Sequence, residues 1–81
     1  MKAKIYITLK DGIHDPQGQA VQQSLHTLGF ESVQEVRMGK FLEVDLQDVE
    51  KESAEANIKS MCQKLLANMV IEDFRYEIVE T

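Results

Sequence analysis

Residues 2–29, KAKIYITLKDGIHDPQGQAVQQSLHTLG, decide the first half of the fold. From Lys2 to Lys10 apolar and polar side chains alternate, which is typical of a strand with one buried face. Asp15 then stands directly before Pro16, and this pair suits a helix that has Asp15 as its N-cap and proline at its first position. The predicted helix runs from Pro16 to about residue 28. Gly29 is expected to end it in the left-handed conformation.

Two strands are predicted next, at 33–38 and 41–47. They flank Gly39-Lys40, and glycine at the first central position suits the tight turn of a hairpin. The sequence does not decide the register in which these two strands would pair. A two-residue turn sets Arg37 opposite Leu42, whereas one extra residue sets Val36 beside Leu42 and exchanges the two faces.

A second helix and a last strand complete the predicted order. Apolar residues recur at helical spacing between Ser53 and Asn68, and alternation returns from Phe74 to Val79. The order βαββαβ predicts an α+β, ferredoxin-like sandwich, in which a four-stranded antiparallel sheet carries both helices on one face. We expect one domain over residues 1–81.

Composition excludes several classes of function. The 81 residues include 14 acidic and 9 basic side chains, a net charge of −5, which argues against a nucleic-acid partner. The apolar runs are far shorter than the about 20 residues of a membrane span, and the start of the chain lacks a signal-peptide pattern, so we expect a cytoplasmic protein. A core this thin favours self-association.

Acid–base or metal chemistry has one candidate group, formed by Asp11, His14 and Asp15. A turn explains Asp11 and a helix cap explains Asp15, while His14 falls in a loop that we expect to be exposed. His26 and Ser24 project from different sides of the predicted helix. We therefore predict no catalytic or metal-binding residue here.

The lone Cys62 lies in the apolar stripe of the second helix, where a thiol packs as a small hydrophobe. A single cysteine cannot build a disulfide, a zinc knuckle or an iron–sulfur site. No glycine-rich phosphate loop of common spacing occurs. The residues thus predict no cofactor bound by this chain.

Two features suggest contact with a partner instead. Glycine in the first turn of a helix costs stability unless its missing side chain is used, so Gly18 indicates either a close approach, which Gln17 could share, or a loose first turn. Arg37 and Lys40 form a basic corner in an acidic chain. That corner suits a carboxylate or phosphate, or simply protects a strand edge from aggregation.

Three stretches together resemble one family. They are LKDGIHDPQG at 9–18, VRMGKFLE at 36–43 and CQKLLANMVIEDF at 62–74. In this order and spacing they are similar to the PurS subunit of phosphoribosylformylglycinamidine synthase. One departure is Met69, where the family usually has proline after the asparagine.

The resemblance implies a small subunit without catalytic residues in a ligase of de novo purine (IMP) biosynthesis. The complex converts formylglycinamide ribonucleotide, ATP and glutamine to formylglycinamidine ribonucleotide, using MgATP on a large synthetase subunit. A glutaminase subunit supplies the ammonia. The PurS chain is expected to bridge the two subunits and support ammonia transfer, and to form a homodimer or tetramer.

Carried onto this chain, the resemblance places partner contacts at the helix start and at the basic corner. These residues are Asp15, Pro16, Gln17, Gly18, Arg37, Gly39 and Lys40. The alternative is an ACT-like regulatory module, which shares the βαββαβ order and would bind an amino acid near Asp11 and Gly12. An acylphosphatase-like hydrolase has less support, because the arginine-bearing phosphate loop is missing after the first strand.

Overall fold

A computed structural model describes residues 1–47 and 49–80. Its elements are β1 Lys2–Leu9, α1 Pro16–Thr27, β2 Gly39–Asp45, α2 Lys51–Met61, a π-helical turn Cys62–Leu66 and β3 Glu72–Val79. The strands form one antiparallel sheet in the order β2-β1-β3. Within the described ranges, no helix is long and apolar enough to cross a membrane.

The prediction of a four-stranded sheet is wrong, because the hairpin does not form. The sheet has three strands, and residues 33–38 belong to none of them. Gly39 opens β2 opposite Thr8 rather than making a turn. A Cβ on Gly39 would lie 2.6 Å from the carbonyl oxygen of Ile7, so glycine serves the close approach of two strands here.

The core lies between the sheet and α2. Ala3, Ile5 and Ile7 of β1 alternate inward and are fully buried, together with Ile58 and Cys62. Burying an isoleucine side chain contributes about 1.5–3 kcal/mol, so these few residues carry much of the stability. The partly buried side chains around them are Leu42, Val44, Leu46, Met61, Leu66, Phe74, Tyr76 and Ile78. Among the described residues, none of this core comes from α1.

Helix α1 begins and ends as its local signals predict. The Asp15 side chain accepts a hydrogen bond from the Gly18 N–H, and Pro16 takes the first helical position. Gly29, one residue beyond the cap at Leu28, has φ +101°, which confirms the left-handed end.

After α1 the chain returns along the same helix. The Nε2–H of His26 donates to the Val33 carbonyl at 2.7 Å, and the Gln22 amide donates to the Gln34 carbonyl at 3.0 Å. We call residues 16–38, which comprise α1 and this returning segment, the arm. Most of its backbone contacts are with itself, so it projects from the sheet rather than covering it.

Hydrogen bonds around Asn68 fix the exit from the second helix. The Asn68 side chain accepts from the Val70 N–H at 3.1 Å, and the Asn68 N–H donates to Glu72 Oε1 at 2.7 Å. The Asn68 carbonyl also accepts from the N–H groups of Ile71 and Glu72. The hydrogen bonds of Asn68 therefore fix the backbone on both sides of Met69.

Candidate functional site

Two stretches distant in sequence meet beside the end of β1. They are the helix start, residues 15–18, and the entry to β2, residues 36–40. Together they carry all seven residues for which partner contact is predicted. Asp15 joins the two stretches, and Arg37 binds the turn at 10–13 that leads to the helix start. We call these two side chains, with the backbone groups that they bind, the clasp.

Asp15 is the acidic half of the clasp. Its Oδ1 accepts from the Gly18 N–H at 2.9 Å, and its Oδ2 accepts from the Met38 N–H at 2.7 Å. These two hydrogen bonds, in that order, lower the pKa of Asp15 from its usual 3.8, and the charges of Arg37 and His14 act in the same direction against the opposing effect of burial. The carboxylate is therefore ionised at neutral pH and is engaged with its own chain.

Arg37 is the basic half. Its Nη1 donates to the Ile13 carbonyl at 2.9 Å, and its Nη2 donates to the Lys10 carbonyl at 3.2 Å. One planar guanidinium thus holds both ends of the turn between β1 and α1. These two hydrogen bonds use Arg37 to position the turn at 10–13.

Gly18 is explained by a close approach. A Cβ at this position would overlap the carbonyl oxygen of Val36 and would come within 2.7 Å of Asp15 Oδ2. The sequence left open a close contact with a partner or a loose first turn, whereas the close neighbour in the structure is the returning segment of the same chain. A partner contact at Gly18 stays a prediction.

Sequence reasoning gave no role to the ion pairs that border the clasp. Lys40 Nζ lies 3.7 Å from Glu72 Oε2 and donates to the Leu66 carbonyl at 3.3 Å. Lys10 Nζ lies 2.6 Å from Asp73 Oδ1. Glu72 and Asp73 fall in the third stretch of the resemblance. They are distant in sequence from Lys40 and Lys10, so a local sequence pattern cannot predict these ion pairs.

Solvent reaches only part of this group. Asp15 and Gly18 are buried, whereas the other five residues are exposed, namely Pro16, Gln17, Arg37, Gly39 and Lys40. Gln17 and Lys40 line an open cavity of about 270 Å³, with Asp15 and Glu72 among its other walls. A second, polar cavity of about 180 Å³ is lined by Asp15, His14 and Arg37. Both fall below the roughly 300–1,000 Å³ typical of small-molecule sites, so the geometry fits protein contact better than a buried ligand.

The remaining reactive groups are not arranged for catalysis. Burial raises the pKa of the Cys62 thiol, which keeps it protonated inside the core. His26 is bound to the Val33 carbonyl, and His14 lines the cavity beside Arg37. Within residues 1–47 and 49–80, no group of three or more histidine, cysteine or acidic side chains is arranged to hold a metal ion.

Comparison with known proteins gives consistent matches along the chain. Residues 2–80 match the family model PurS, described as phosphoribosylformylglycinamidine (FGAM) synthase. Phosphoribosylformylglycinamidine synthase subunit PurS of Bacillus subtilis is 47% identical over 79 residues, which cover 98% of this chain and 93% of that protein.

Solved structures agree with the sequence matches. A Bacillus subtilis PurS structure superposes with a TM-score of 0.86 at 47% identity, covering 98% of both chains. A chain in the structure of PurLQS from Thermotoga maritima gives a TM-score of 0.87 at 26% identity, covering 96% of this chain and 95% of that one. The similarity therefore includes the overall fold as well as the local motifs.

Proposed function

The chain belongs to the PurS family of phosphoribosylformylglycinamidine synthase subunits, and we propose that it serves as the small, non-catalytic subunit of that synthase in de novo purine biosynthesis. The observation that carries the proposal is the family match over residues 2–80. This match favours a PurS subunit over the ACT-like amino-acid-binding module. We also propose that residues 1–81 form one domain of a cytoplasmic protein.

The chemistry belongs to the proposed partners. The large synthetase subunit would activate formylglycinamide ribonucleotide with MgATP, and the glutaminase subunit would release ammonia from glutamine. The structure of PurLQS from Thermotoga maritima contains a chain with the fold of this one, which supports an assembly of this kind. This chain would bridge the two subunits and hold their active sites in register, so that ammonia passes between them at high effective concentration.

Exposed residues near the clasp supply the proposed contacts. Pro16, Gln17 and Lys40 face solvent and are held in place by Asp15, Gly18, Arg37 and Gly39, which act within the chain. Such a pre-organised surface loses little entropy on binding. Homodimers or tetramers of the chain would present two or four copies of this surface.

Assembly tests this proposal. The large and glutaminase subunits are mixed with or without the chain, and the complex is measured by native mass spectrometry. We expect a complex of all three proteins, and at least about a tenfold weaker one with Gln17→Arg plus Lys40→Glu, since both changes fall on exposed side chains at the centre of the surface. Lys51→Glu, an exposed charge reversal at the start of α2, is the matched control. Equal assembly by both variants would contradict the assignment of the surface, and no three-protein complex would contradict the function.

A further inference from the structure

The two most exposed large apolar side chains among the described residues lie where α2 leads to β3. Leu65 is 82% exposed and Val70 is 80% exposed, and Met69, which precedes Val70 in the sequence, is 41% exposed. We call residues 65–71 the bend. The contacts proposed above, around the clasp, give these three side chains no role.

The bend is compact because hydrogen bonds hold its two ends together. Lys40 Nζ donates to the Leu66 carbonyl at 3.3 Å and lies 3.7 Å from Glu72 Oε2. Glu72 Oε1 accepts from the Asn68 N–H at 2.7 Å, and the Asn68 carbonyl accepts from the N–H groups of Ile71 and Glu72. The exposed apolar side chains of the bend therefore belong to one small area, and grouped exposure of this kind marks sites of protein contact. A backbone fixed in this way loses little entropy on binding.

Lysine residues border the bend in a chain that is acidic overall. Lys64 directly precedes the bend and is exposed, while Lys40 and Lys10 each donate to one of its carbonyl groups, through the side chain and the main chain respectively. Glu72 pairs with Lys40, and Asp73 pairs with Lys10. Three lysines against two carboxylates leave a local charge of +1, whereas the whole chain carries −5. A partner surface with an apolar centre and a carboxylate at its rim is complementary to this arrangement.

The bend adjoins the surface around the clasp for which partner contact is proposed. Gln17, Lys40 and Glu72 line the same open cavity, and Lys40 also binds the Leu66 carbonyl of the bend. Two proteins bound at adjoining surfaces would meet each other beside this chain. A subunit that couples two active sites needs such a placement, because ammonia has to pass from one protein to the other.

We propose that the bend binds the second of the two partner subunits, the one that does not cover Gln17, through an apolar surface bordered by a carboxylate that faces Lys64. A second copy of this chain fits less well, because a two-fold contact centred on the bend would bring Lys64 close to its own copy. The inference rests on the proposed bridging function and deepens it, since it assigns a separate surface to each partner.

Photo-cross-linking in the assembled complex tests which protein covers the bend. Leu65→Cys, Gln17→Cys and Glu52→Cys chains are each labelled with benzophenone maleimide, while Cys62 stays unlabelled because it is buried. Each is irradiated with the synthetase and glutaminase subunits, and mass spectrometry identifies the products. We expect position 65 to reach one subunit and position 17 the other, and far less product from position 52, which is exposed at the start of α2. Products of position 65 only with a second copy, only with the subunit reached from position 17, or with no protein would overturn the inference.

Substitutions in the bend give an independent measurement, by native mass spectrometry of the three-protein complex. Leu65→Asp plus Val70→Asp changes two exposed side chains and should leave folding intact, but it should weaken assembly at least about tenfold because two carboxylates would face an apolar surface. Lys64→Glu should weaken assembly about threefold, whereas the exposed control Lys51→Glu should not change it. Equal assembly by the wild type and the bend variants would overturn the inference. Absence of any complex with the wild type would contradict the proposed function itself.

Discussion

The sheet with α2 and the arm are stabilised in different ways. The fully buried apolar side chains lie in β1, α2 and the π-helical turn, whereas the arm is held to the rest by hydrogen bonds of Asp15 and Arg37. Apolar burial therefore stabilises the first part. The second part has its position fixed by polar contacts and leaves its apolar surface available, as a subunit that works through contacts requires.

The largest expected effect is the loss of stability when a core side chain is shortened. Ile58→Ala should lower the free energy of unfolding by about 2–5 kcal/mol, because it leaves a cavity between α2 and β1. Leu28→Ala on the arm should have a much smaller effect on the free energy of unfolding, because the Leu28 side chain is 72% exposed. Urea unfolding measures both variants. A loss of similar size for both would remove the distinction.

Gly18→Ala should have the next largest effect. Its methyl group would overlap the Val36 carbonyl, so the returning segment must move, at a cost of about 1–3 kcal/mol. Gln19→Ala, one residue on and exposed, is the control and should be neutral or slightly stabilising because alanine favours helix. Equal stability of the two variants in thermal unfolding would show that α1 does not lie against Val36.

Low pH should weaken the hydrogen bonds of Asp15 in the clasp. Since the folded pKa of Asp15 lies below 3.8, its ionised form stabilises the folded chain above that pH, and this contribution is lost as the pH falls through the folded value. Asp15→Asn should therefore be less stable than the wild type at pH 7, and the difference should close below pH 3.8. Urea titrations across this range measure it. A difference that stays constant with pH would contradict the role of the carboxylate.

The smallest effect concerns the accessibility of the core thiol. Cys62 is fully buried with a raised pKa, so a thiol reagent should modify the native chain roughly a hundredfold or more slowly than the chain in denaturant. Ile58→Ala should accelerate the native reaction, because it loosens the part of the molecule that contains the thiol. Rapid labelling of the wild type would show that the core around α2 opens readily.

Sequence predicted the elements whose signals are local. Alternation located β1, and the Asp15-Pro16 pair and Gly29 located both ends of α1. The hairpin prediction failed because Gly39 allows two outcomes, a turn or a tight strand contact, and only its approach to Ile7 decides between them.

The resemblance named residues 15–18 and Arg37, Gly39 and Lys40 as partner contacts, and that assignment stays a prediction. The hydrogen bonds that connect these residues could not be predicted, because the Asp15 contact with Met38 and the Arg37 contacts with two carbonyls span more than 20 positions of the chain. No local periodicity reports such contacts. The Lys40 contact with Glu72 was missed for the same reason.

The most direct test of the central claim is the choice of nitrogen donor in amidine synthesis. The synthetase and glutaminase subunits are assayed with MgATP, with and without this chain, using either glutamine or free ammonia. We predict that the chain is required with glutamine and nearly dispensable with ammonia, because it couples two active sites without taking part in bond formation. Equal rates with and without the chain for both donors would contradict a coupling role.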